Sequence, residues 1–258
     1  MKCKEIIRFL EQAAPSCYAE KWDNIGLLVG DSEKEIHTIF LAVDATDRVI
    51  EEACQKGADM LVTHHPLIFS GMKSVNEDDF IGRRVRRLVK EDICYYAMHT
   101  NFDIAGDMAG LVVNKLPFKE TEVLHKTVQE YGLGRIGNLC QPVFVKQFVE
   151  IVKEKLKLPN VILYGDKEKI IERVAIMPGS GDSEIGEAIR QGAELMVTGD
   201  IGHHDGIDAL AQGLMIIDAG HYGLEKVFVE HMEHMLNEEW NGCIQIETEQ
   251  IRLPFIMV

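Results

Sequence analysis

The chain has 258 residues, 46% apolar and 27% charged, with 42 acidic against 27 basic side chains and a formal net charge of −15. That is the composition of a globular protein with a sizeable core, and its charge repels a nucleic-acid backbone. No apolar run reaches the roughly 18 residues of a membrane span, no signal-peptide core follows Met1-Lys2-Cys3-Lys4-Glu5, and six scattered cysteines without a CxxC fit a reduced cytoplasm rather than a disulfide scaffold.

Taken in chain order, Ile6, Ile7 and Leu10 have helical spacing, and the pattern stops near Pro15. Trp22-Asp23-Asn24-Ile25-Gly26-Leu27-Leu28-Val29-Gly30 predicts a polar turn entering a short buried strand. Residues 39–44 form the continuous apolar run of a parallel strand covered on both faces. Thr46 or Asp47 then caps a helix carrying Val49, Ile50, Ala53 and Cys54, closed by Gly57. Residues 60–63 are the next strand, with His64-His65-Pro66 at its carboxyl end. A helix rich in arginine (Arg83, Arg84, Arg86, Arg87, with Lys90) precedes the apolar run 93–98, which leads to His99-Thr100-Asn101-Phe102-Asp103. Strands alternating with helices predict a doubly wound α/β arrangement, with its site at the carboxyl ends of the strands.

The second half repeats the scheme. After a connecting stretch over about 121–173, in which 144–156 looks helical, residues 174–177 read as a strand. Gly179-Ser180-Gly181-Asp182-Ser183 supplies a turn and cap, and 185–190 a helix. Residues 195–198 give way to Gly199-Asp200 and then His203-His204-Asp205, and 215–220 lead to His221-Tyr222-Gly223-Leu224-Glu225. Gly57-Ala58-Asp59-Met60-Leu61-Val62-Thr63 returns 135 residues on as Gly192-Ala193-Glu194-Leu195-Met196-Val197-Thr198, and His99 to Asp103 returns at an offset of 122 as His221 to Glu225. The repeat predicts two related α/β lobes, one over about 1–120 and one over about 121–240. A C-terminal strand over about 243–258 alternates like a half-exposed edge strand.

A His and a carboxylate four residues apart share one face of a helical turn, where both can reach one ion. The pairs His99/Asp103 and His221/Glu225, with the doublet His64-His65, supply donors enough for two divalent ions. Adjacent strand residues point to opposite faces, so the doublet converges only if the strand ends there, as Pro66 suggests. Imidazole and carboxylate without thiolate suit Zn, Mn, Fe, Co or Ni. A pair of such ions is the two-metal hydrolytic design, suited to an anionic substrate. Gly179-Ser180-Gly181 reads equally as a phosphate cradle or a tight turn. Gly132-Leu133-Gly134-Arg135-Ile136-Gly137 matches GxGxxG but lacks the strand before it and the helix after it that a dinucleotide site needs. His203-His204-Asp205 either lines the cleft or lies on the surface. His37, His125, His231 and His234 read as solvated.

Together the 22–30 segment, Thr63-His64-His65-Pro66-Leu67-Ile68-Phe69, His99 to Asp103, Thr198-Gly199-Asp200 with His203-His204, and Asp218 to Glu225 closely resemble the GTP cyclohydrolase 1 type 2 homologues, the NIF-three-like family. The resemblance runs from about residue 6 to 251. It implies two α/β lobes with a dinuclear metal site in the cleft between them, two divalent metal ions per chain, and a toroidal homohexamer. Carried over by position, the ligands are His64, His65, Asp103, His221 and Glu225, with His99 close by, where it is expected either to support a ligand or to shuttle protons. The family name implies hydrolytic opening of the guanine imidazole ring of GTP with release of formate. Some relatives carry an extra domain between the lobes, for which the connecting stretch here is too short. The expectation is a cytoplasmic metal-dependent hydrolase of a nucleotide or similar phosphate-bearing small molecule, without nucleic-acid or membrane partners. Its rivals are a broad metal-dependent phosphoesterase or amidohydrolase, and a metal-binding or metal-delivery hexameric scaffold without catalysis.

Overall fold

Strands that are apolar at every position must be covered on both faces. The computed structural model, which describes residues 1–240, 242–253 and 255, meets this need in each of two units. The first unit comprises Met1–Gly106 and Phe228–Arg252. Its first segment runs α1 (Cys3–Ala13), β1 (Gly26–Val29), β2 (Thr38–Ala42), α2 (Asp47–Gln55), β3 (Met60–Thr63), α3 (Phe80–Lys90), β4 (Cys94–Ala97) and α4 (Thr100–Ile104). Every residue of β2, β3 and β4 is buried, and the three pair in parallel. The Thr46 hydroxyl accepts the Val49 N–H at the start of α2, and the Asp79 carboxylate accepts that of Gly82 at the start of α3. Phe40, Leu61, Leu88 and Tyr95 pack with Val49 and Ile50 in one core on this side of the sheet.

The second unit comprises Asp107–Val227 with Leu253 and Phe255 of the tail. It runs α5 (Met108–Val113), β5 (Phe118–Val128), β6 (Tyr131–Phe144), α6 (Val145–Lys155), β7 (Ile162–Tyr164), β8 (Ile170–Ser180), α7 (Ile185–Arg190), β9 (Leu195–Gly199), α8 (His203–Ala211), β10 (Met215–Asp218) and α9 (His221–Glu225). Its six-stranded sheet has the order β5-β6-β8-β9-β10-β7, with β8, β9 and β10 parallel. The chain then returns to the first unit through α10 (Val227–Trp240) and β11 (Gln245–Thr248). β11 lies parallel to β2 and completes a five-stranded sheet of order β1-β4-β3-β2-β11.

The expected mixed α/β architecture with two sheets is therefore present, but the borders differ. The first unit ends at Gly106, not near 120, and reclaims α10 and β11. The reason lies in β2, a fully buried strand that needs a partner on its outer edge. The strand expected over 243–258 is confined to Gln245–Thr248, and residues 254 and 256–258 of that span lie outside the described residues. The connecting stretch carries the long β5–β6 hairpin, and the GxGxxG run lies inside β6. A Cβ on Gly132 or Gly137 would collide with the β5 backbone at His125 or Glu120, so these glycines serve close strand packing. Among the described residues no helix is long and apolar enough to cross a membrane.

The return to β2 is fastened by a buried carboxylate. Glu249 accepts the Val43 N–H at 2.8 Å and pairs with Arg48 at 3.3 Å. Glu249→Ala leaves that buried N–H without its acceptor, so unfolding in urea should show a loss of about 1–3 kcal/mol. An unchanged midpoint would mean that β11 is held by its ladder alone.

Candidate metal centre

Because β3 and β4 pair in parallel with Thr63 opposite Ala97, whatever follows the two strands emerges side by side. His64-His65 follows β3, and Met98-His99 follows β4. The doublet converges because two hydroxyls bend the chain. Thr63 Oγ1 donates to the His65 carbonyl at 2.7 Å, and the buried Tyr95 hydroxyl lies 2.9 Å from the same oxygen while accepting the Leu67 N–H at 2.7 Å. The His64 and His65 ring centroids are then 4.8 Å apart. His99 joins them at 5.3 and 5.4 Å, and one ring nitrogen from each of the three lies within 4.8 Å of the others. Asp103 sits one turn along α4 with Oδ1 3.5 Å from His64 Nε2.

In the second unit, His221 opens α9 and its Nε2 lies 3.1 Å from Glu225 Oε2, the i,i+4 spacing expected. Glu225 is buried. Gly179 has φ +77°, and a Cβ there would stand 2.9 Å from Glu225 Oε1. The Gly179-Ser180-Gly181 run thus provides close approach to a carboxylate at Gly179, favouring the tight-turn reading.

A common device orients all four imidazoles. His64 Nδ1 bonds the Met98 carbonyl at 2.8 Å, His65 Nδ1 the Asp44 carboxylate at 2.8 Å, His99 Nδ1 that of Asp23 at 2.9 Å, and His221 Nδ1 that of Asp200 at 3.0 Å. A carbonyl or carboxylate oxygen only accepts, so each Nδ1 carries a proton, which leaves Nε2 as the nitrogen able to offer a lone pair to an ion. That is the tautomer, and the supporting hydrogen bond, that metal-binding histidines need. The donors present therefore fit divalent ions. Burial alone would raise the Asp23 carboxyl, but hydrogen bonds from His99 and Thr100 outweigh it and hold the group down at about 2.

The structure thus gathers His64, His65, His99 and Asp103 in the first unit and pairs His221 with Glu225 in the second. The sequence shows Asp23 within a polar turn, Asp44 as the end of the 39–44 run and Asp200 within the Thr198-Gly199-Asp200 motif, but none of them as a partner of a histidine, although a carboxylate at or just beyond a strand end was the available signal for Asp44 and Asp200. His203 and His204 are exposed at the start of α8, and their rings contact each other. His125 is bonded to Glu184 at 2.8 Å. His231 is half-buried against Phe102, with its pKa lowered by burial, whereas solvation was expected.

Residues 1–254 match the family model described as Duf34/NIF3 (NGG1p interacting factor 3). A Clostridium perfringens protein named GTP cyclohydrolase 1 type 2 homolog is 35% identical over 259 aligned positions, covering 99% of each chain. The solved structure of a Bacillus cereus protein related to NIF3 superposes with a TM-score of 0.95 at 26% identity, over 100% of this chain and 99% of that one. Reduced HcgD from Methanocaldococcus jannaschii gives 0.84 at 31% identity, over 97% and 98%.

Two substitutions probe this geometry. Tyr95→Phe strips the Leu67 N–H of its acceptor and should cost about 1–3 kcal/mol in urea unfolding, while loosening the doublet enough to weaken metal binding in equilibrium dialysis. Asp23→Asn removes a carboxylate whose folded pKa is depressed. The stabilisation it gives is present above the unfolded value of about 3.9 and is lost as pH falls toward about 2. The variant should be less stable than the parent by on the order of 2 kcal/mol at neutral pH, with the gap narrowing below about pH 4; a gap independent of pH would remove the Asp23 carboxylate charge, held by His99 and Thr100, as its cause.

Proposed function

The chain belongs to the Duf34/NIF3 family, and on that premise we propose that it is a dinuclear-metal-dependent hydrolase of a nucleotide or similar phosphate-bearing small molecule, with GTP ring opening as the named candidate reaction. The observation that carries the reading is the orientation of four imidazoles by acceptors on Nδ1. Metal-binding histidines almost always have Nδ1 held by such an acceptor, and here the arrangement recurs at four rings that stand beside carboxylates. In this reading His64, His65, Asp103, His221 and Glu225 hold two divalent ions. When bound, such ions acidify water and polarise the attacked group. They also bring local positive charge to a chain of net charge −15, which an anionic substrate requires.

His99 has the arrangement of a general base, since the Asp23 carboxylate fixes its ring through Nδ1 and directs Nε2 to take and return a proton. Buried Thr100 links the two functions of Asp23, because its N–H and hydroxyl both donate to the second carboxylate oxygen. The curated relative named GTP cyclohydrolase 1 type 2 homolog supports the candidate substrate by name. A homohexamer and a cytoplasmic location belong to the same proposal.

The test is turnover of GTP by protein loaded in turn with Zn, Mn, Fe and Co, with formate and phosphate both quantified and native mass recorded. Formate release that falls about a hundredfold in Asp103→Ala or His221→Ala, with mass retained, is the expected result. Phosphate without formate moves the reaction to phosphoester hydrolysis. No product with any metal, together with ligand variants that lose the assembled mass, would replace the hydrolase by the metal-binding scaffold.

A further inference from the structure

Two large aromatic side chains of the first unit stand open to solvent beside the imidazole cluster. Trp22 is 58% exposed and Phe69 is 56% exposed. Leaving such rings in water forgoes roughly 1.5–3 kcal/mol of burial for a side chain of this size, and neither is part of the core around Tyr95. Their centroids are 5.6 Å apart at 46°, and the His99 ring meets Trp22 at 6.0 Å and Phe69 at 6.5 Å, edge-on in both cases. The three rings make a corner whose base is a member of the donor cluster.

The same bonds that place the donors place this corner. Trp22 precedes Asp23, whose carboxylate holds His99. Phe69 follows Ile68, whose carbonyl accepts from Asn24 Nδ2 at 2.5 Å, and the same segment is pinned at Leu67 by Tyr95. The aromatic wall and the donors are therefore set by one hydrogen-bond system, which suits a surface that must present a ligand to those donors. Phe69 also borders a cavity of about 380 Å³ whose lining carries Ser70, Lys73, Ser74 and Asp79, a volume within the range of small-molecule sites.

We propose that Trp22 and Phe69 form the wall on which a planar heteroaromatic ring of the substrate packs, with its edge toward His99. The proposal rests on the metal-site reading and narrows its substrate class to purine-like or pterin-like rings. A ring cannot lie between the two, because insertion needs about 7 Å, twice the ~3.5 Å contact distance, and 5.6 Å is present. It lies instead on the open face of one with the edge of the other beside it, the tilted arrangement that aromatic groups prefer. The neighbouring cavity, whose lining includes both Lys73 and Asp79, leaves room for polar substituents of that ring.

The test uses the full-length metal-loaded protein and compares planar probes (GTP, guanosine and a pterin) with inorganic triphosphate and ribose 5-phosphate, which lack the ring. The chain has two tryptophans, and the second, Trp240, is only 9% exposed. In a Trp240→Phe background, quenching of the remaining fluorescence therefore reports on Trp22 in the parent and in Phe69→Ala, and equilibrium dialysis gives the affinities of the Trp22 variants. Trp22→Ala and Phe69→Ala should weaken planar probes by about ten- to a hundredfold, the effect of removing a stacking aromatic. Triphosphate affinity, metal content and native mass should not change, and Trp22→Phe should restore binding to within about threefold of the parent. Planar probes that bind the alanine variants as tightly as the parent, or that do not bind the parent at all, overturn the wall. So does a drop in native mass in those variants, which would make the patch a contact between copies. Ring-dependent binding without product from any metal leaves the wall standing and removes the hydrolase. Product whose KM is indifferent to Trp22 and Phe69 does the reverse.

Discussion

An imidazole offers a metal a lone pair at one nitrogen only while the other keeps its proton, and here four rings meet that condition at once. The acceptors that enforce it come from the ends of the sheets. Met98 follows β4, Asp44 lies two residues past β2, and Asp200 directly follows β9. Parallel strands gather their carboxyl ends along one edge, so an acceptor from one strand naturally stands beside a ring carried by the next. Only Asp23 comes from elsewhere, on the turn ahead of β1, and it is also the one acceptor whose second oxygen caps a helix by accepting from Thr100. The Tyr95 hydroxyl completes the arrangement by letting two adjacent residues, which on a continuing strand would diverge, face the same place.

Much of this could be read from residues alone, for identifiable reasons. Runs such as 39–43 and 60–62 are apolar at successive positions and short, as a doubly covered strand requires, and the structure buries all of them. The His-x3-carboxylate pairs declare themselves because helical geometry makes that spacing meaningful. Their supporting carboxylates do not. Asp44 closes the apolar run 39–44 just ahead of the Thr46–Asp47 helix start, and nothing local says which side chain a carboxylate there will bond. The β5–β6 hairpin was missed because its exposed positions bury little and leave no strict alternation, and its glycines mimic a nucleotide-binding run. The first unit's reach to β11 was equally hidden, since pairing between residues so distant in sequence leaves no local trace.

The internal repeat holds where geometry demands it and diverges where chemistry permits. α4 and α9 are both five-residue helices that follow or open on a histidine and carry a carboxylate four residues later. At the ends of β3 and β9 the two halves part company. His64-His65 of the first half stands in register with Gly199-Asp200 of the second. One copy thus supplies two rings, while the other supplies a glycine, where a Cβ would strike the His221 backbone, and an acceptor that holds the His221 ring. Duplication followed by such a division of labour gives unequal donor sets from equivalent positions.

The interruption of the first unit also bears on how the protein is made. Its sheet draws four strands from Met1–Gly106 and the fifth from Gln245–Thr248, with all of Asp107–Val227 synthesised in between. On a ribosome, β2 therefore waits on the order of ten seconds for its outer neighbour, given usual elongation rates. Through that interval Thr38-Ile39-Phe40-Leu41-Ala42 is an apolar, uncharged strand edge, the kind that pairs with other chains. The nascent chain, rather than the finished protein, is the species most exposed to aggregation, and the inserted unit, whose sheet strands all come from one continuous span, can close first.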